Sequence, residues 1–177
     1  MSKKFKGKYR IEKPRAKHWN YGWNGAYFVT MNTKNRIRHF GHIENGEMYL
    51  SEIGKIAYSC WAEIPDHFPF VNLGAFVIMP DHVHGIIIIS KEDKDKTPED
   101  IITHPSDRDG VGNRFGPQSK NLASIIRGFK VGVTKNARLL LPSYAWQPRY
   151  HDRIIRDQLA YEQIETYIIN NPKNWTG

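Results

Sequence analysis

The sequence predicts an α+β domain: a mainly antiparallel sheet with helices packed on one face, close to the ferredoxin-like or RNA-recognition-motif topology. Three observations carry this reading. Strand-like and helix-like stretches follow one another as strand, helix, two strands, helix, strand, helix, with an extra hairpin early in the chain. The apolar runs Leu73 to Met79 and Gly85 to Ile89 are bounded by turn residues, as buried strands are. A length of 177 residues, 40% hydrophobic and 25% charged, suits a single domain and is short for two.

In chain order, a basic arm occupies residues 1–24, with Lys3, Lys4, Lys6, Lys8, Arg10, Lys13, Arg15 and Lys17 in little apolar company. No fold is assigned to it, and its cations, Lys8 and Arg10 among them, suit phosphates. One domain over 25–177 follows. Ala26 to Met31 is rich in strand formers, and Arg38 to Ile43 with Glu47 to Leu50 reads as a hairpin around Asn45-Gly46. Ser51 can cap a helix whose apolar residues Ile53, Ile56, Ala57, Cys60, Trp61 and Ile64 recur at helical spacing until Pro65. The two apolar strands come next, turning at Pro80-Asp81. Residues 91–118 read as a long exposed loop of charges, prolines and glycines. A helix is predicted from about Ser119 to Leu140, with Leu122, Ile125, Ile126, Phe129 and Val133 inward and Lys120, Arg127, Lys130, Lys135 and Arg138 outward. After Pro142, Trp146 to Tyr150 leads into a short strand, Asp152 to Arg156. Asp157 then caps a last helix that ends before Pro172.

Charge narrows the partners. The net charge of +8 and pI near 9.5 point to a polyanion, and nucleic acid fits better than membrane because no strongly amphipathic basic helix stands out. No apolar run approaches the roughly 18 residues of a membrane span, and no apolar signal core follows the N-terminal lysines, so a cytoplasmic location is expected. The single cysteine, Cys60, excludes an internal disulfide and a thiolate-rich zinc site. The chain has neither a phosphate-binding glycine loop nor a dinucleotide fingerprint.

The chemistry concentrates in Met79-Pro80-Asp81-His82-Val83-His84-Gly85. If His82 opens a strand, the two-residue side-chain period puts His82 and His84 on one face, roughly 6–7 Å apart, with Val83 directed into a core. Two neutral imidazoles so placed can chelate one metal ion, although a plain pair of partly exposed histidines has the same spacing. In the last helix Tyr167 and Asn171 are four residues apart and share a face. Asn171 offers a hard amide oxygen suited to Mg²⁺ or Mn²⁺, and Tyr167 a phenol able to act as a nucleophile. Tyr161 lies about 240° away around that helix and cannot face the same ion. Taken alone, Tyr167 also fits a packing position beside Ile164 and Ile168.

His82-Val83-His84, together with Trp146-Gln147-Pro148-Arg149-Tyr150-His151-Asp152-Arg153-Ile154-Ile155-Arg156 and Tyr167-Ile168-Ile169-Asn170-Asn171-Pro172, resembles the single-tyrosine transposases of the histidine-hydrophobic-histidine (HUH) endonuclease fold. The branch it most resembles is the REP-associated tyrosine transposases. The similarity runs from about Tyr27 to Trp175. Two features depart from the pattern: the long 91–118 loop, and a chain that stops at Gly177 where many relatives carry a C-terminal extension.

The resemblance implies that His82, His84 and Asn171 hold Mg²⁺ or Mn²⁺, with Asn170 the second choice for third ligand because it is rotated by about 100°. Tyr167 would be the catalytic nucleophile, nicking and joining DNA through a 5′-phosphotyrosine intermediate. The implied partner is single-stranded DNA carrying hairpins, such as REP-like sequences or element ends, handled at the bacterial nucleoid by a monomer or a helix-exchanged homodimer. Arg127, Lys130, Arg149, Arg153 and Arg156, with Lys8 and Arg10 of the arm, are candidate DNA-binding residues, and Trp19, Tyr21 and Trp23 could stack on bases. A hairpin-binding regulator without chemistry and a replication initiator or relaxase with the same chemistry are the competing readings.

Overall fold

The structure, a computed structural model, describes residues 4–5, 9–10, 22, 24–91 and 120–176. Two short strands, β1 (Lys4–Phe5) and β2 (Tyr9–Arg10), pair with each other near the N-terminus. The domain proper runs β3 (Gly25–Asn32), β4 (Gly41–Glu44), β5 (Glu47–Leu50), α1 (Glu52–Ala62), α2 (Ile64–His67), β6 (Val71–Ile78), β7 (His82–Ile89), α3 (Leu122–Leu140), β8 (His151–Ile155) and α4 (Gln158–Asn170). Its four-stranded sheet has the order β6-β7-β3-β8, antiparallel throughout. That is the ferredoxin-like order expected from the sequence.

Local chemistry sets most boundaries. Asn45 and Gly46 both adopt positive φ, 53° and 78°, as a two-residue hairpin turn requires, and join β4 to β5. Ser51 caps α1 through its Oγ, which accepts from the Gly54 N–H. Asn121 and Ser124 form a reciprocal capping box at the start of α3, and the Asp157 carboxylate accepts from Ala160 N–H to open α4. The predicted stop at Pro65 falls elsewhere. α1 ends at Ala62, and Pro65 sits in the first turn of α2, where its missing N–H deprives no intrahelical bond. The first hairpin strand is also shorter than expected, because Phe40 turns into the core and Gly41 has φ of 137°.

The second correction concerns the faces of the sheet. α1 and α3 pack on one face, over Tyr27, Val29, Met31, Val83, Ile87 and Ile89. α4 does not join them. It lies across the opposite face, burying Tyr161, Ile164 and Ile168 against Ala26, Ile86, Ile88 and Ile155. The physical reason is visible in β7, where all eight residues are buried. A strand apolar on both faces needs cover on both.

Gly85 lies on the α1 side of β7 directly beneath the fully buried Trp61, and a Cβ there would overlap Cζ2 of the indole and stand 2.8 Å from its Cη2. Gly85→Ala is therefore expected to destabilise the fold by about 2–3 kcal/mol, seen as a lower urea midpoint at unchanged slope. A midpoint equal to wild type would show that Trp61 can move away at little cost.

Candidate active site

The even-numbered residues of β7 face α4. His84 stands opposite Thr30 on β3, and His82 opposite Asn32. The two imidazoles are 5% and 7% exposed, with ring centroids 4.5 Å apart. Each has a partner on Nδ1: Asp81 Oδ1 at 2.6 Å from His82, and Thr30 Oγ1 at 2.8 Å from His84. Since a carboxylate only accepts, the His82 proton sits on Nδ1 and its Nε2 lone pair is free. The Thr30 hydroxyl can either accept from or donate to His84 Nδ1, and where it accepts, both Nε2 atoms are ligand-ready.

The turn holding this pair is tied to its neighbours. The carbonyl of Asp81 accepts from both the N–H and the hydroxyl of Thr33, at 2.9 and 3.0 Å, and the carbonyl of Pro80 accepts from Phe40 N–H. His82 thus opens its strand from a fixed point.

α4 brings the tyrosine. Tyr167 is 49% exposed, and its hydroxyl stands 3.4 Å from Nε2 of His84. Phe28 stacks on His84 at 5.3 Å and meets Tyr167 edge-on at 6.1 Å, so the phenol is braced on the sheet side. Tyr161 is buried in the core beneath α4, as its rotation about the helix requires. Asn171 is buried where α4 ends. Asn170 turns its amide back onto the Thr166 carbonyl of its own helix. Beyond α4 the chain returns over the site, placing the Trp175 ring 5.7 Å from His82 and beneath Arg38.

Burial keeps both histidines neutral. It lowers the pKa of His82 despite the Asp81 partner, and pulls His84 down to about 3, with smaller contributions from His82 and Arg36. An unfolded histidine protonates near pH 6.5 and folded His84 does not, so the unfolded state gains protons as the pH falls. The metal-free protein is expected to lose about 2 kcal/mol through His84 alone between pH 6.5 and 5, and more on further acidification. Urea unfolding of wild type and His84→Gln with chelator present checks this: the stability difference between them should shift toward the variant as pH drops. A difference constant with pH would contradict it.

No metal-binding group of three or more His, Cys, Asp or Glu side chains exists among the described residues. The two imidazoles, with ring centroids 4.5 Å apart, are the nitrogen donors the site offers, and Asn171 is a buried amide at the end of the helix carrying Tyr167.

The candidate DNA-binding residues separate into groups. Arg153 lines a concavity of about 450 Å³ with Phe28, Thr30, His84, His151 and Tyr167. Arg127, Lys130 and Arg149 line another, about 510 Å³, along α3 with Lys135 and Arg138. Lys130 is not simply outward. Its ammonium donates to the carbonyls of Gln147 and Arg149 and lies over Trp146, and burial lowers its pKa to about 8. It fastens the segment from which Arg149 and Arg153 emerge. Arg156 is exposed between β8 and α4. Lys8, Trp19, Tyr21, Trp23 and nearly all of the 91–118 loop lie outside the described residues, and Arg10 falls in β2. Trp146 is a packing residue among Phe40, Phe129 and Tyr144.

Sequence reasoning did not assign Thr30, Asp81, Arg36 or Phe28 to the site. Asp81 had a signal, an acid immediately before a candidate ligand, while Thr30 and Phe28 depend on strand register.

No family model matches the chain. Over 162 residues it is 41% identical to an uncharacterised protein of Haemophilus influenzae, covering 91% of this chain and 87% of that protein. The chain belongs to that protein's family. Among solved structures it is similar to a REP-associated tyrosine transposase bound to a REP hairpin, with a TM-score of 0.60 and 20% identity over 90% of this chain and 73% of that one. The likeness at this identity establishes a shared fold. Among the described residues no helix is long and apolar enough to cross a membrane.

Proposed function

We propose that this chain is a divalent-metal-dependent transposase-type enzyme that nicks and rejoins single-stranded DNA beside hairpins, with Tyr167 as nucleophile. The observation that carries the reading is the approach of the Tyr167 hydroxyl to within 3.4 Å of Nε2 of His84, on the sheet face it shares with His82. The transposase of similar fold is bound to a REP hairpin, which supports the substrate class.

The phenol oxygen attacks phosphorus and gives up its proton. The bond from phosphorus to the 3′-oxygen breaks, and that oxygen takes up a proton. The products are a 5′-phosphotyrosyl strand and a free 3′-hydroxyl. One phosphodiester bond is exchanged for another, so rejoining needs no nucleotide cofactor. Mg²⁺ or Mn²⁺ held by His82, His84 and Asn171 would supply a Lewis acid against the growing negative charge. Phe28 and Thr30 hold Tyr167 and His84 in place, which limits the motion needed to reach the reacting geometry.

The half-exposed tyrosine reaches a splayed single strand more readily than a phosphate within a duplex. Arg153, beside Tyr167, suits the phosphates flanking the cleaved bond. The basic concavity along α3, which Arg149 also lines, lies on the other side of the sheet and suits the stem of the hairpin. Arg156, Lys8 and Arg10 are assigned as further backbone contacts. The protein acts in the bacterial cytoplasm at the nucleoid, as a monomer or a homodimer.

The test is incubation of the full chain with labelled single-stranded hairpin oligonucleotides from the DNA flanking its gene, with Mn²⁺ or Mg²⁺, followed by a denaturing gel. A covalent protein–DNA band that chelator removes is the expected result. Hairpin binding on a native gel with no covalent band would instead favour a non-catalytic hairpin-binding regulator.

A further inference from the structure

Behind His82 runs a chain of polar contacts. Arg36 donates from Nη1 to Asn32 Oδ1 at 2.6 Å and from Nε to Asp81 Oδ2 at 2.9 Å. The other carboxylate oxygen, Asp81 Oδ1, accepts from His82 Nδ1 at 2.6 Å. The Asp81 side chain is 7% exposed and that of Arg36 50%. Both oxygens of Asp81 are therefore engaged, one by a fixed cation and one by the ring, and its main chain is held by Thr33.

The route by which Arg36 arrives is unusual. Asn35 and Arg36 both occupy the left-handed region, with φ of 56° and 57°, which residues other than glycine rarely adopt. The turn after β3 accepts that conformation and so directs the guanidinium onto Asp81. Arginine suits the position because its planar fork serves Asn32 and Asp81 from two separate nitrogens in a fixed geometry, whereas a lysine would have to reach both from one.

We propose that Asp81 and Arg36 are positioning residues: the Arg36–Asp81 pair fixes His82 in the tautomer protonated on Nδ1 and presents its Nε2 lone pair to a divalent cation. The consequence for metal binding rests on the reading of His82 as a ligand; the tautomer does not.

Asp81→Asn separates these effects, because an amide has the shape of the carboxylate but can turn an N–H toward the ring. Nδ1 then accepts, the proton moves to Nε2, and the ligand lone pair is lost. Two-bond ¹H–¹⁵N correlation spectra of the metal-free full chain read the tautomer, and Mn²⁺ titration followed by the EPR signal of free Mn²⁺ reads affinity. Wild type is expected in the Nδ1–H form. Asp81→Asn should populate the Nε2–H form and bind Mn²⁺ about 10–100-fold more weakly. Arg36→Gln, at a half-exposed position, should weaken Mn²⁺ binding in the same direction, and Arg36→Lys should restore only part of it. A folded Asp81→Asn that keeps the Nδ1–H form, or binds Mn²⁺ as wild type does, overturns the assignment. Should Asp81→Asn fail to fold, Arg36→Gln with unchanged tautomer and unchanged affinity does the same. If wild type binds no Mn²⁺, the metal-site reading fails, while the tautomer shift still decides whether Asp81 positions His82.

Discussion

Tyr167→Phe is expected to lower strand cleavage by about 10⁴-fold or more while leaving hairpin binding within about twofold of wild type. The substitution removes one oxygen. Among the described residues that oxygen's contact is one long approach to His84, 3.4 Å, on a side chain already 49% exposed, so the fold does not depend on it. The ring itself stays braced edge-on against Phe28. Single-turnover cleavage and native-gel binding on the same oligonucleotide separate the two effects. Equal losses in binding and cleavage would mean that Tyr167 is a contact residue; cleavage near the wild-type rate would place the nucleophile elsewhere.

His84→Ala is expected to reduce cleavage by about 10³-fold or more and to abolish measurable Mn²⁺ binding, with His82→Ala close behind. His84 is the residue on which the site converges. It bonds Thr30 through Nδ1, stacks on Phe28, and turns Nε2 to Tyr167. Its loss would remove a proposed ligand and also one wall of the tyrosine's setting. Thr30→Val provides the comparison, since it removes only the hydroxyl that orients the ring; an outer partner of this kind is worth about 10–100-fold. Cleavage by His84→Ala at the level of Thr30→Val would show that His84 orients neighbours and holds no metal.

Much of this site could be read from the chain because its parts lie at fixed periods. His82 and His84 share a face by the two-residue repeat of a strand, and Tyr161 is excluded by the rotation of a helix. What could not be read depends on pairings between elements. Thr30 meets His84 only because β3 and β7 pair in that register, and Arg36 reaches Asp81 only through a left-handed turn that no periodicity announces. The face taken by α4 likewise depends on a pairing between elements. Ile86 and Ile88 announce a second buried face, but the chain alone does not say which helix covers it. Lys130 shows the limit of helical-face reasoning: it projects from the basic side of α3, and the folded Gln147 and Arg149 carbonyls draw it back.

The central claim, that Tyr167 carries the DNA, is tested most directly by locating the covalent bond. After reaction and nuclease trimming, tryptic cleavage after Arg156 and Lys173 releases one peptide that contains both Tyr161 and Tyr167. Fragmentation of that peptide in a mass spectrometer should place the residual nucleotide on Tyr167 alone. A nucleotide on Tyr161, or on any residue outside that peptide, would contradict the account.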